Sequence, residues 1–474
     1  MSMQTLWKRD GGYGEVLTIA VPLVLSTGSW SIQHFVDRVF LTWYSRDALA
    51  AVLPAGMLNF TFASFFIGTT AYVNTFVAQY SGAGRPRRVG PAVWQGIYFG
   101  LIAGVLMIGL IPFSETFFRW VGHDPDIRSL ETSYFRISCL GGPTIVGPAL
   151  AGFFSGRGKT MAVMWVNFVA TGVNIVLDYA WIFGKWGFPE WGIEGAAAAT
   201  VVSRYTSLAI YLVIISLPRF RETYNTLGGW RPDRALFRRL VRFGVPNGVQ
   251  FMLEILGFSI FVLLVGRLGE VALAASNVAF NINTLAFLPM IGLGIAVSTM
   301  VGRYLGQDRA DLAERSVWSA VHLVVLYMGS MALGYVLVPD LFIYPFASRA
   351  DPETFGPVRE LAIVLLKFVA VYCAFDGLYI VFSAGVKGAG DTRFVMLTAT
   401  ALSWLTMVLP TYIACGIYGK GLFVAYLFIT TYITLAGIIF YLRFRGGKWK
   451  SMRVIEAAPP PAVPVGEDPD LPVT

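Results

Sequence analysis

Four acidic residues stand where acids are costly. Asp37, Asp178, Glu254 and Asp376 each interrupt a long apolar run. Hydrocarbon cannot solvate a charge, so an ionisable group in such a run marks a functional site by default. Asn174 and Asp178 are spaced i, i+4, as are Tyr372 and Asp376, so on a helix each pair shares one face. Oxygen-rich groups of this kind can hold a hard cation or carry a proton. Two carboxylates in one low-dielectric pocket resist being ionised together, so an ion or proton arriving there changes the charge balance. The competing reading is structural, with each acid capping a broken helix or bonding a nearby Ser or Thr. Four separate acids all doing so is the weaker account.

The elements that must carry these residues are membrane helices. Of the 474 residues 56% are hydrophobic and 14% charged, against roughly 25% charged in soluble domains, and the mean hydropathy is +0.63. A spanning helix needs about 20 mostly apolar residues. Twelve segments qualify, near 16–41, 50–80, 91–113, 131–154, 161–183, 194–217, 244–266, 272–301, 316–338, 359–385, 394–415 and 421–442. The first is too long for the apolar core of a cleaved signal and lacks a small-x-small site, so it reads as a retained helix. The fold class expected is all-α integral membrane.

The net charge of +8 does not point to nucleic acid, because the basic residues sit in short stretches between apolar runs. Lys8 and Arg9, Arg85 to Arg88, Arg157 and Lys159, the run from Arg219 to Arg242, Arg303 to Arg315, Lys387 and Arg393, and the stretch after the last helix all fall on one side. The positive-inside rule makes that side cytoplasmic, with both termini there. Cys139, Cys373 and Cys415 lie in apolar runs and form no disulfide or metal framework. "GFFSGRGKT" resembles a phosphate loop, but the glycine that motif requires falls on Phe153, so no nucleotide site is expected. The Pro-rich end reads as disordered.

The chain repeats itself. An offset of 224 residues takes Pro22 to Pro246, Leu49-Ala50-Ala51 to Leu273-Ala274-Ala275, Gly68 to Gly292, Tyr80 to Tyr304, Gly82 to Gly306 and Arg85 to Arg309. Further on, Gly156, Gly158 and Thr160 face Gly388, Gly390 and Thr392. Six helices per repeat preserve orientation, so the halves are parallel and related by an axis along the membrane normal, with substrate between them. The organisation expected is a cytoplasmic N-terminus (1–14), an N-lobe (15–217), a basic linker (218–243), a C-lobe (244–445) and a disordered tail (446–474).

With these residues in view, the chain resembles the multidrug and toxic compound extrusion (MATE) exporters, on its NorM-like branch. The resemblance rests on "AVPLVLSTGSWSIQHFVDRVFLTWYSRDALAAV", "GLGIAVSTMVGRYLGQ", "NIVLDYAWIFG" and "WGIEGAAAATVVSRY", and covers residues 15–445. It implies two six-helix lobes, alternating access, and export of amphipathic, often cationic compounds in exchange for Na⁺ or H⁺, from a monomer in the cell inner membrane. It implies an N-lobe cation site of Asp37, Asn174, Asp178 and Thr200, and a C-lobe site of Glu254, Tyr372 and Asp376. Apart from Na⁺ or H⁺ as coupling ion, no cofactor is expected. Two features depart from a symmetric picture: Arg38 follows the first acid, and the offset takes Asp37 to Phe261 rather than to an acid.

Two other functions fit a chain of this kind. A lipid-linked oligosaccharide flippase of the same superfamily would line its cavity with basic residues, whereas the charge here is mostly acidic. An integral-membrane transferase would carry Asp-rich metal motifs in loops, and the sequence has none. Carboxylates serve both Na⁺ and H⁺, and the neutral oxygens accompanying them favour Na⁺.

Overall fold

The computed structural model describes residue 7, residues 9–347 and residues 352–457. Among the described residues eleven helices are long and apolar enough to cross a membrane, twelve when a bent helix pair is taken as one span. In chain order they are α1 (Tyr13–Tyr44), α2 (Arg46–Gly82), α3 (Pro86–Trp120), α4 (Pro125–Leu140 with Gly142–Ser155), α5 (Thr160–Ile182) and α6 (Gly192–Ile215). The second half has α7 (Arg234–Gly266), α8 (Glu270–Gly306), α9 (Ala310–Leu337), α10 (Phe355–Ala389), α11 (Thr392–Ile417) and α12 (Leu422–Arg445). Local chemistry sets several boundaries. Ser45 Oγ caps α2 by accepting from the Asp47 and Ala48 amides, and Asp233 caps α7 by accepting from the Leu236 amide at 3.0 Å. The 49° bend in α4 falls at Gly141-Gly142-Pro143, where proline cannot donate to the helical ladder. Pro410 lies between two π-helical stretches of α11, Ser403–Val408 and Tyr412–Ile417.

Two expected boundaries shift. The basic linker does not reach residue 243, because α7 begins at Arg234 and the preceding stretch folds against α3, with Trp94 Nε1 donating to the Thr226 carbonyl at 2.5 Å. The tail expected to be disordered from 446 is packed as far as Glu456: Trp449 and Val454 are buried, and Trp449 stacks on Phe444 with ring centroids 4.8 Å apart. A large ring and two aliphatic side chains after the last helix give this stretch its own apolar anchor. Residues 458–474 lie outside the described residues.

The halves meet through α1 against α8 and α2 against α7. Lipid is as apolar as leucine, so this union depends on close backbone approach and hydrogen bonds rather than on the hydrophobic effect. Both are present in duplicate. A Cβ on Gly68 would lie 2.9 Å from Gly248 Cα, and one on its repeat mate Gly292 would lie 2.6 Å from the Val24 nitrogen; 24 and 248 are themselves mates. Asn74 donates to Thr299 Oγ1 at 3.0 Å, and the mated positions Thr75 and Ser298 meet at 3.4 Å. Among the described residues, no hydrogen bond or ring contact joins the halves beyond Thr27 on α1, Phe60 on α2, Phe251 on α7 and Leu288 on α8. The contacts gather at the end where α1 begins and α12 finishes, and the lobes part towards the other end.

Candidate functional site: two acid-bearing pockets

The N-lobe pocket forms where the polar stripes of two helices meet. On α1, Ser26, Ser29, Gln33 and Asp37 are all buried and recur at helical spacing. On α5, Asn167, Thr171, Asn174 and Asp178 make the facing stripe. Asn167 donates to Ser26, and Thr171 Oγ1 donates to the Ser29 carbonyl at 3.4 Å. That register delivers Asp37 to the Asn174–Asp178 face. Asn174 and Asp178 are fully buried. The Asn174 amide donates to Asp37 Oδ1 at 3.0 Å and to Asp178 Oδ2 at 3.2 Å. The other end of the amide faces Thr200 Oγ1 on α6 at 3.4 Å. One amide group therefore bridges the two carboxyl groups, which lie close enough to interact electrostatically. Asp178 Oδ1 is buried without a partner.

All four residues expected for this lobe are therefore brought together. Spacing did not reveal the surrounding groups. Arg204, one turn on from Thr200, lies within electrostatic reach of Asp37 and Tyr134. His34 Nδ1 lies 3.9 Å from Asp37 Oδ2. Arg38 points outward from α1, as the angle of about 100° between adjacent helical residues requires. Thr200 and Arg204 at i, i+4 would have been the signal for the basic neighbour.

The C-lobe pocket is built differently. Glu254 Oε1 on α7 accepts from Tyr379 on α10 and from Gln250 Nε2 at 3.1 Å. Asp376 is buried and interacts electrostatically with Glu254, but no hydrogen bond joins them. Tyr372 is buried near Asp376 and does not reach Glu254's hydrogen-bond set; its place is taken by Tyr379. Tyr432 on α12 lies within reach of both acids. Gln250, i−4 from Glu254, was legible from helical spacing; Tyr432 was not. At the repeat position of Asp37, Phe261 is fully buried and packs on Phe280 and Tyr426. Among the described residues, no three His, Cys, Asp or Glu side chains cluster. The N-lobe pocket is thus a set of carboxylate, amide and hydroxyl oxygens, with an orphaned carboxylate oxygen that suits a hard cation or a proton.

The MatE family model matches this chain twice, over residues 22–180 and 246–413, starting at the mated prolines Pro22 and Pro246. The chain belongs to the MatE family. Its members are membrane transporters, so an integral-membrane transferase is excluded. This MatE chain is 31% identical over 394 residues to a protein of Brucella suis described as a probable multidrug resistance protein NorM, covering 82% of this chain and 83% of the other. A Thermotoga maritima protein of the same description is 24% identical over 93% of this chain and 94% of its own. The fold matches an outward-facing multidrug resistance MATE family transporter with a TM-score of 0.83 at 19% identity, covering 94% of this chain and 98% of that one. It also matches a MOP superfamily transporter from Pyrococcus furiosus described as having a binding pocket of reverse polarity, with a TM-score of 0.82 at 21% identity over 94% and 98% of the two chains.

Proposed function

We propose that this MatE protein exports amphipathic cations by antiport, with Na⁺ or H⁺ bound in the N-lobe pocket driving alternating access. The observation that carries the reading is the bridging of the Asp37 and Asp178 carboxyl groups by the single Asn174 amide, at 3.0 and 3.2 Å. Two carboxylates so placed repel unless a proton or cation lies with them. Asn174 suits both conditions. Its N–H groups bridge the carboxylates when no cation is present, and a rotation of the amide turns its oxygen towards a bound cation. Loss of the ion restores the repulsion, and α1 can respond near Pro22, where the ladder lacks one donor. The ion couples to transport only if it binds the two access states unequally. The oxygen set favours Na⁺, and the acidic character of the pockets favours cationic substrates. Basic residues between the spans support a cytoplasmic position for the terminus-bearing end, where the lobes touch, in a protein of the cell inner membrane. A monomer is sufficient, since both pockets lie within single lobes.

The test is efflux of a fluorescent cation from proteoliposomes with Na⁺ and pH gradients imposed separately. Acceleration by an inward Na⁺ or H⁺ gradient is expected, and its loss in Asp37→Asn. Transport indifferent to both gradients overturns the coupling. Transport of an anionic lipid-linked sugar but of no organic cation overturns the substrate class.

A further inference from the structure

The terminus-bearing end holds one unequal pair. On one side of the pseudo-two-fold axis, Glu15 of α1 reaches across to α8. It accepts from Arg303 and, through Oε2, from the Tyr304 hydroxyl at 2.5 Å and the Gly11 amide at 2.8 Å. The 224-residue offset predicts the counterpart on the other side. Arg303 maps to Gln79, Tyr304 to Tyr80, and Glu15 to position 239. The apolar neighbours agree with that alignment, since Val16 and its mate Leu240 are both buried. Position 239 is Arg239, so no carboxylate from α7 can meet Tyr80.

The carboxylate comes instead from beyond the last helix. Glu456 Oε2 accepts from the Tyr80 hydroxyl at 2.6 Å, close in length to the Glu15–Tyr304 bond. Arg88 Nε lies 3.3 Å from its Oε1, and Arg85 donates to the Glu456 carbonyl at 3.1 Å. The backbone two residues earlier bridges the other two mated positions. The Val454 amide donates to Gln79 Oε1 at 2.8 Å, and Arg239 donates to the Val454 carbonyl at 3.1 Å. Buried Trp449 and Val454 hold the segment in place.

We propose that residues 452–456 are a latch that replaces the missing half of a symmetric lock, with Glu456 standing in for the carboxylate that Glu15 supplies on the other side. Tyr80 belongs to the N-lobe, while the latch is anchored on the C-lobe. The latch therefore ties the lobes together only while this end is closed, and favours the state open at the opposite end. Glu15 is part of a spanning helix and moves with its lobe. Glu456 lies on a segment that can leave, so the second lock is releasable in a way the first is not. The proposal rests on the alternating-access reading, but its test needs neither substrate nor ion gradient.

Spin labels at Arg87→Cys and Gln307→Cys, two exposed positions on opposite lobes at this end, report the lobe separation in the otherwise native full-length chain. Glu456→Ala is expected to raise the population of the longer distance roughly tenfold, as loss of a charge-assisted hydrogen bond supports. Adding Arg239→Glu puts a carboxylate where the repeat predicts it, and should return the distribution towards that of the native chain. Should Glu456→Ala fail to fold, Tyr80→Phe removes only the hydroxyl and must shift the distances in the same direction. Unchanged distances in the variant that folds, or a long-distance population that Arg239→Glu leaves in place, overturn the latch. Efflux assays of the same proteins separate this outcome from a failure of the transport reading.

Discussion

The two lobes share a backbone plan and differ in where they put charge. In the N-lobe, acids from α1 and α5 are bridged by one amide. In the C-lobe, Glu254 is satisfied by Tyr379 and Gln250, and Asp376 acts on it only through space. The depths differ as well. Asp37 lies ten residues past Thr27, the last described α1 residue to hydrogen-bond the other lobe, or about 15 Å along a helix. Glu254 lies three residues past Phe251, its counterpart on α7, or about 4.5 Å. The N-lobe pocket thus sits well inside the open half, while the C-lobe pocket sits near the point where the lobes close. Duplication conserved the scaffold contacts, such as the Gly68 and Gly292 approaches, because both halves of a two-fold interface must fit the same surface. Nothing in that constraint requires the interior of each lobe to match, and Phe261 in place of an acid shows that it does not.

This contrast predicts unequal sensitivity to neutralisation. Asp37→Asn and Asp178→Asn should each lower gradient-driven efflux by at least roughly tenfold, the loss expected when differential binding of the coupling ion disappears. The double variant should be little worse than either single one, because either removes the repulsion. Wild-type rates in Asp37→Asn, measured in vesicles at matched expression, would take the N-lobe out of the coupling mechanism.

Glu254→Gln should have a smaller effect, about two- to fivefold on efflux, because two donors already compensate the carboxylate. An effect larger than that of Asp37→Asn would reverse the ranking of the pockets. The same purified proteins can be melted with and without Na⁺. Ligand stabilisation follows the free-ion concentration over its dissociation constant, so a Na⁺-dependent melting shift kept in Glu254→Gln and lost in Asp178→Asn assigns the ion to the N-lobe.

The polar stripe that positions Asp37 can be probed by stability alone. Asn167→Leu removes the donor to Ser26 and should cost about 1 kcal/mol, seen as a melting decrease of a few degrees with a parallel fall in Na⁺ affinity. A melting decrease without a change in affinity would mean that the stripe supports the lobe but does not place the acid.

The smallest effect concerns acidification of the latch. Burial works against the charge on Glu456, but the Tyr80 hydrogen bond and the charges of Arg88 and Arg239 outweigh it and hold the carboxyl below its ordinary value of 4.5. A carboxyl lowered in this way contributes fully above the ordinary value, and the contribution is lost as pH falls through the lowered one. Label distances between Arg87→Cys and Gln307→Cys should therefore stay constant from neutral pH to about 4.5. Opening of this end near pH 6 would show that another group controls it.

Much of this protein was legible without coordinates. The twelve spans follow from hydropathy, because a helix crossing hydrocarbon must be about 20 apolar residues long whatever its neighbours do. The repeat was legible because mated glycines and prolines answer to backbone geometry, which leaves a residue-type signature at fixed spacing. Asn174 with Asp178 followed from the 3.6-residue period, and Thr200 from family resemblance. The partners across helices depended on tertiary structure. Tyr379 rather than Tyr372 on Glu254, Arg204 beside Asp37 and Glu456 on Tyr80 are separated by 125, 167 and 376 residues along the chain. No local periodicity encodes such pairings; they depend on how each helix rotates and slides against its neighbours. The tail shows the limit most clearly: its composition reads as unstructured, yet the vacancy left by Arg239 in a symmetric lock exists only once both lobes are assembled.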